Sequence, residues 1–414
     1  MISYDKYLSP LGRNLHESVL RKMGQVVASR ADLISFAAGY PDPVGFPWDE
    51  FREIASELLS GKHGSVLQYG PTRGYRPLLE SIIGVLDRRG ITADITQVMT
   101  TSGSQQGLDL IARVLIAPGD AVLVEVPTYT GAIAAFRNAQ CRLAGVQQDA
   151  DGINLEELDA VCLRERAAGS RVNLLYLVPN FQNPAGILLS LDKRARLLEW
   201  AERRDMLIVE DDPYGELYFE DAAKVEDTRP LKAADSRGRV IYLSTFSKTL
   251  APGFRVAWVT APTPIVERFD TAKQSIDLMC GILDQRVVHQ SIVRGVLDRQ
   301  AAPLRKLYRM RRDVMEQALR DEVGGRLTWN APKGGFFLWA NLPEGYQCEP
   351  LLARALEQGV IFVIGSAFCV DGSGHDRIRL SFSWPTPERI REGARRLALA
   401  MKPVTVATEA TKTF

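Results

Sequence analysis

Residues 240–260 read VIYLSTFSKTLAPGFRVAWVT. Two apolar, β-branched runs, 240–244 and 256–260, enclose a small polar turn that carries Lys248. Neither run alternates apolar with polar residues, a pattern expected of strands covered on both faces, as in a mostly parallel sheet. Burial disfavours the charge of a lysine held between such strands and lowers its pKa. A neutral amine is what Schiff-base chemistry requires. A lysine at such a place also reads as an exposed loop residue. Thr245, Ser247 and Arg255 beside it add two hydroxyls and a guanidinium, a set that can clamp a phosphate.

Working outward, further strand-like runs fall at 98–101, 121–126, 142–146, 172–178 and 206–210. Helix-like stretches lie between them. In 104–116, Leu108, Ile111, Ala112 and Leu115 recur at three- and four-residue spacing, and Pro118-Gly119-Asp120 ends the pattern. Residues 190–204 form another such stretch, with Leu197, Leu198 and Ala201 on one side. Strands and helices alternating at this length predict an open α/β sheet with helices on both faces, and in such sheets ligands bind at the carboxyl ends of the strands. A long helical region at 303–323 follows, then strand-like runs at 335–340, 360–363 and 378–382, which predict a second, smaller α+β unit. The final residues, PVTVATEATKTF, carry no apolar pattern and read as a loose tail.

Three more motifs sit at predicted strand ends. TSGSQQG, 101–107, leads from a strand into a helix, and a helix N-terminus with free N–H groups suits a phosphate. Its glycine spacing is not that of a dinucleotide-binding fingerprint, and Ser-Gly-Ser is equally an ordinary cap and turn. EDDPY, 210–214, places carboxylates at the end of a buried strand, where they cost desolvation unless they meet a partner such as a protonated pyridine nitrogen. A helix N-cap with Pro213 following explains one of the two aspartates, not both. PNFQNPAG, 179–186, restricts the backbone of Asn183, which precedes a proline; it also reads as a plain Asn-Pro turn.

The chain has 414 residues, 46% of them hydrophobic, enough for a large core and too long for one simple one. Its 51 basic and 50 acidic residues leave a net charge of +1, without the basic excess of a nucleic-acid binder. Five scattered cysteines form no CxxC and four histidines show no HxxxH or HExxH spacing, so a disulfide framework and a metal site are not expected. The N-terminal residues carry polar groups throughout, unlike a signal peptide. The longest apolar run, near 360–370, is too short to span a bilayer. A soluble, cytoplasmic protein is expected.

Taken together in fixed order, these motifs resemble the fold type I pyridoxal-phosphate aminotransferases over residues 39–383, most of all the branch of 2-aminoadipate and kynurenine aminotransferases. The resemblance implies a large domain with a mostly parallel seven-stranded sheet sandwiched by helices, plus a smaller α+β domain. The expected division is an N-terminal segment (1–45) joining the small domain, a cofactor-binding domain (46–295) and a C-terminal domain (296–414). It implies pyridoxal 5'-phosphate as cofactor, held on Lys248 as a Schiff base, with Lys248 later shuttling a proton. Asp211 would pair with the pyridine nitrogen; Tyr214 and Asn183 would hydrogen-bond the ring oxygen. Tyr129, in PTYTG, matches the aromatic that stacks on the ring. Ser104, Gln105, Thr245, Ser247 and Arg255 match the phosphate cup; at Thr245 many relatives carry Ser, which keeps the hydroxyl. Tyr69, in LQYGPTRG, resembles a tyrosine that reaches the phosphate from a second subunit and so implies a homodimer with shared sites. Arg379, in RIRLSFS, matches the arginine that binds the substrate carboxylate, and Gly39, in AAGYPD, lies beside the substrate. Residues 9–23 resemble a helix that touches substrate side chains, with Arg13 the candidate for a distal carboxylate.

The expected reaction transfers an amino group from an L-amino acid (2-aminoadipate, aromatic or aliphatic) to a 2-oxo acid, 2-oxoglutarate foremost, by ping-pong steps. A lyase or decarboxylase on the same fold is the alternative, because motifs around the cofactor do not separate these reactions. A regulatory module of aminotransferase type is set low, because few residues precede Gly39 and they are not strongly basic.

Overall fold

The computed structural model describes residues 4–13, 15, 19–30, 32–61 and 64–402. The expected tail, 403–414, lies outside them, as do parts of the N-terminal segment. The first strand, β1 (Ile34–Ser35), is short and pairs in parallel with a strand near the other end of the chain. The strands of the main sheet follow: β2 (Val98–Ser102), β3 (Ala121–Val126), β4 (Arg142–Asp149), β5 (Gly152–Ile153), β6 (Val172–Leu177), β7 (Leu207–Asp211), β8 (Val240–Thr245) and β9 (Val256–Thr260). Their order in space is β2-β9-β8-β7-β6-β3-β4-β5. Pairs β3–β4, β3–β6, β6–β7 and β7–β8 are parallel; β9 runs against both its neighbours, and β5 folds back on the edge of β4. The seven expected strands are thus joined by an eighth of two residues. No alternation marks it in the sequence, and it exists only because the turn after Asp149 closes on itself.

The absence of period-two patterning in β3 and β8 has the expected cause, since every residue of both is buried. Val122, Val124, Leu174, Val209, Ile241 and Leu243 pack on one face of the sheet, with Leu108, Ile111 and Phe136 from the helices Ser104–Leu115 and Thr130–Asn138. Leu123, Val146, Leu175 and Ile208 pack on the other, with Leu158 and Leu197 from helices Leu155–Ala167 and Leu191–Arg204. Ser190 caps the last of these by accepting from Lys193 N. Both faces of the central strands are therefore covered, which leaves their ends as the place for a ligand.

A second, antiparallel sheet is built from β10 (Thr328–Trp329), β11 (Phe337–Asn341), β13 (Val363–Ile364) and β14 (Arg377–Ser381), in the order β10-β11-β14-β13. Between them in sequence lies β12 (Val360–Ile361), the partner of β1. The helices Val296–Glu322 and Pro387–Ala400 pack on this unit. The first of these begins at Val296, not near Pro303 as the sequence suggests; the proline lies inside the helix. Phe36, just after β1, donates its N–H to Ile361 O at 2.8 Å and accepts from Ser381 N at 2.8 Å, so the N-terminal residues are stitched to the C-terminal unit. Among the described residues no helix is long and apolar enough to cross a membrane.

Candidate active site

The carboxyl ends of β2, β6, β7 and β8 converge on a cavity of about 360 Å³, roofed by residues 35–40 and by β14 of the second sheet. Asp211 is the last residue of β7 and is 3% exposed. Its Oδ2 accepts from Tyr176 OH at 2.9 Å. Its Oδ1 is buried with no hydrogen-bond partner among the described residues. Burial pushes its pKa up to about 7; the Tyr176 hydrogen bond pulls down, the Asp212 charge pushes up and Lys248 pulls down.

The three consecutive acids of EDDPY have separate roles. Glu210 accepts from Leu231 N and Lys232 N, each at 2.8 Å. Asp212 caps the following turn through Gly215 N at 3.0 Å and pairs with the buried Arg89 at 3.0 Å. No helix starts here, so the helix N-cap reading of this motif fails; Asp212 caps a turn instead, and Asp211 is left to face the cavity.

Lys248 follows β8, and its amine is enclosed in the cavity, 3.4 Å from Gly39 O and 5.9 Å from the centroid of the Phe336 ring. Burial lowers its pKa to about 8, helped by repulsion from Arg255 and Arg379 and opposed by Asp211. Gly39 has to be glycine, because a Cβ there would lie 2.7 Å from Cζ of Phe337.

At one end of the cavity, hydroxyls, a guanidinium and a helix N-terminus come together. Ser104 opens the helix Ser104–Leu115, and its Oγ is buried without a partner among the described residues. Gln105 donates to Gly131 O at 2.9 Å, tying this helix to the one that starts after Tyr129. Thr245 Oγ1 and Ser247 Oγ lie 2.9 Å apart. The Arg255 guanidinium lies so close to Gly103 that a Cβ there would sit 1.9 Å from its Nη2. Hydroxyls, a guanidinium and a helix N-terminus suit a dianionic phosphate.

Arg379, on β14, is 1% exposed, with its guanidinium 4.3 Å from the Phe337 ring centroid and 5.1 Å from that of Phe368. Nη1 donates to Asn183 Oδ1 at 2.8 Å and Nη2 to Ala37 O at 2.5 Å, while Nε has no partner among the described residues. Burial lowers its pKa to about 10, against the pull of Tyr214 and Tyr129. Tyr214 stands edge-on to Phe336 and Phe337, and burial raises the pKa of both Tyr214 and Tyr129.

Of the fourteen candidate residues, the cavity thus gathers all but Tyr69 and Arg13. Tyr69 is 76% exposed. Arg13 is exposed and donates Nε to Asp5 O at 3.2 Å; it does not line the cavity as described. The sequence reading missed Tyr176, Tyr40 and Phe337. Tyr176 lies within an apolar run, and only the β6–β7 pairing brings it to Asp211. Phe337 lies in GGFFLW, which reads as plain core.

The residues fit pyridoxal phosphate on an observation of the site itself. Ser104 Oγ, Asp211 Oδ1 and Arg379 Nε are buried polar atoms without partners among the described residues, and all three residues line this cavity. Such atoms are costly unless a ligand satisfies them. An anion, a protonated ring nitrogen and a carboxylate are the groups that match them in turn. The fold and this site define a pyridoxal-phosphate-dependent enzyme of fold type I.

The chain belongs to the aminotransferase class I and II family, which matches residues 31–397. It is 39% identical to aromatic-amino-acid aminotransferase 1 of Thermococcus litoralis, over 97% of this chain and 95% of that one. The structure resembles a multiple substrate aminotransferase from Thermococcus profundus, with a TM-score of 0.90 and 39% identity over 96% and 98% of the two chains. It also resembles alpha-aminoadipate aminotransferase of Thermus thermophilus, solved in complex with N-(5'-phosphopyridoxyl)-L-leucine, with a TM-score of 0.87 and 37% identity over 96% and 98%. The protein is a pyridoxal-phosphate-dependent aminotransferase acting on an amino acid and a 2-oxo acid, and the lyase and decarboxylase alternatives are not favoured.

Proposed function

We propose that this aminotransferase takes aromatic and aliphatic L-amino acids, with 2-aminoadipate among its donors, and passes the amino group to 2-oxoglutarate. The observation that carries this reading is the buried Arg379 guanidinium, with a free Nε, in a cavity whose other walls include Met23, Val27, Tyr40 and Phe337. A fixed carboxylate site facing apolar walls suits an α-amino acid whose side chain is apolar or aromatic. The names of the relatives, aromatic-amino-acid and alpha-aminoadipate aminotransferases, agree with that range.

When bound, pyridoxal phosphate supplies an electron sink that stabilises a carbanion at the substrate Cα. The chain does the rest. Lys248, neutral in a good fraction near its pKa of about 8, attaches the cofactor and then takes and returns the Cα proton through Nζ. Asp211 Oδ1 holds a proton on the ring nitrogen. Asn183 and Tyr214 would donate to the ring oxygen, and Tyr129 would cover a ring face. Ser104, Gln105, Thr245, Ser247 and Arg255 bind the phosphate, and Arg379 orients the Cα–H bond by fixing the carboxylate. Gly39 brings its backbone beside the substrate.

Two copies of the chain form the working unit, with Tyr69 reaching the site of the second copy; its exposure and that of Leu67 beside it (75%) support this. The division into residues 1–45, 46–295 and 296–414 is supported by the placing of the two sheets and by the β1–β12 pairing. The cytoplasm suits five cysteines that stand unpaired.

The test is the visible absorbance of the purified holoprotein during addition of single L-amino acids. Loss of the band with an aromatic or aliphatic donor, and its return with 2-oxoglutarate, is the expected result. A band that persists with every such donor overturns the donor assignment.

A further inference from the structure

The two carboxylate oxygens of Asp211 have unlike surroundings. Oδ2 accepts from Tyr176 OH at 2.9 Å, while Oδ1 is buried with no partner among the described residues. The terminal torsion of an aspartate carboxylate is broad, so one fixed hydrogen bond sets the plane of the group and hence the direction in which its other oxygen points. We propose that Tyr176 is the positioning residue for Asp211: its hydroxyl anchors one carboxylate oxygen and so aims the other at the cofactor's ring nitrogen. The inference rests on the reading of Asp211 as the partner of that nitrogen.

Tyr176 is built to stay in place. It lies on β6 between β3 and β7, fully buried, and its ring meets Phe136 edge-to-face at 5.6 Å and 74°. In the β6–β7 ladder it sits opposite Val209, two positions before Asp211. It does not line the cavity, so it touches neither cofactor nor substrate.

The charge balance around Asp211 calls for such a donor. Burial and the neighbouring Asp212 favour the protonated acid; Tyr176 and Lys248 favour the carboxylate, and Tyr129 faces the same carboxyl. A protonated Asp211 would be a poor holder of a proton on the ring. Tyr176 cannot become a competing anion, because burial and Asp211 hold its hydroxyl far above the usual tyrosine range. It therefore always donates.

The same structure contains a control. Tyr242, on β8, donates to Asp212 Oδ2 at 3.0 Å, an equally buried Tyr–Asp bond one residue along the chain. Asp212 has Arg89, Asn180 and Gly215 N as further partners, and it does not line the cavity.

The experiment compares Tyr176→Phe, Tyr242→Phe and Asp211→Asn as holoproteins. It follows the pH titration of the bound cofactor's absorbance, the cofactor dissociation constant, the melting temperature and kcat against KM. Phe keeps the ring and its contact with Phe136, so Tyr176→Phe should melt near the parent. It should weaken cofactor binding and lower kcat, each about tenfold, the worth of one hydrogen bond to a charged acceptor, with KM for the amino acid little changed. Its spectral midpoint should move in the same direction as that of Asp211→Asn, and Tyr242→Phe should leave the midpoint in place. A parental titration in Tyr176→Phe, or an equal shift in Tyr242→Phe, overturns the proposal. If Asp211→Asn itself titrates and binds as the parent does, the reading of Asp211 fails instead.

Discussion

Asn183 Oδ1 accepts from Arg379 Nη1 at 2.8 Å, and this bond joins the loop after β6 of the main sheet to β14 of the second sheet. The side chain expected at the cofactor's ring oxygen thus orients the side chain expected at the substrate carboxylate. Neither group can shift without the other, so the angle between substrate and cofactor is set by the packing of one sheet against the other. Arg379→Lys removes the planar fork and places a strongly hydrated ammonium between two phenylalanine rings. It should lower kcat/KM by about a hundredfold, near 3 kcal/mol, by raising KM for both the amino acid and the oxo acid. Steady-state kinetics against each substrate checks this, with an unchanged cofactor spectrum as the sign that the loss is in substrate binding.

Gly103→Ala tests the phosphate end. The residue has φ 77°, and an added Cβ would overlap Arg255 Nη2. The backbone strain alone should destabilise the protein by about 1–3 kcal/mol, and the guanidinium must move away. Affinity for pyridoxal phosphate should fall more than affinity for pyridoxal, which lacks the phosphate. Equal losses for the two, measured by fluorescence titration, would separate Arg255 from phosphate binding.

These relationships differ in how far a sequence reveals them. Lys248, Asp211 and Ser104 could be found because each sits where an unbroken apolar run meets a polar turn, and that junction is a strand end. The choice of Asp211 over Asp212 comes from the family resemblance alone; its physical reason, Asp212 being taken up by Arg89 and Gly215 N, is seen only in the folded chain. Tyr176 was invisible for a related reason: strand register, which pairs it with Val209, leaves no mark on the order of residues. The start of the long helix was misplaced because a proline is a common first-turn residue, whereas here Pro303 lies well inside Val296–Glu322. The β1–β12 pairing joins residues more than three hundred apart and has no local signal.

The stability of the cofactor-free protein should depend on pH in a defined direction. Burial raises the pKa of Glu125, Glu210 and Asp211 to about 7 each. The folded state therefore keeps protons that the unfolded chain has lost above about pH 4–5, and these groups reduce stability as pH rises from there through about 7, above which their effect levels off. Lys248, lowered to about 8, has the complementary effect, restoring stability as pH climbs from 8 toward the ordinary lysine value. Glu125 accepts from Val178 N and Gln182 Nε2, both at 3.0 Å and both through Oε2, and a glutamine oxygen can accept the same two bonds. Glu125→Gln should therefore stabilise the cofactor-free protein at pH 8 by about 1–3 kcal/mol and change little at pH 5. Denaturant melts at the two pH values decide it; an equal effect at both would mean that Glu125 is ionised throughout.

Donor choice should depend on Tyr40, a half-exposed residue of the cavity wall. Tyr40 stands edge-to-face with Trp384, their centroids 6.1 Å apart, and its carbonyl accepts from Ser383 Oγ at 2.7 Å. An aromatic donor side chain can extend this pair, a contact worth about 1 kcal/mol beyond the area it buries. Tyr40→Ala should raise KM for phenylalanine or kynurenine about tenfold and KM for 2-aminoadipate by much less. Arg13, bonded to Asp5 O and outside the cavity, should when changed to Ala leave KM for both kinds of donor within about twofold, the small effect usual for an exposed charge. A rise confined to 2-aminoadipate in Arg13→Ala would instead bring Arg13 to the distal carboxylate, which requires the N-terminal residues to close over the bound substrate.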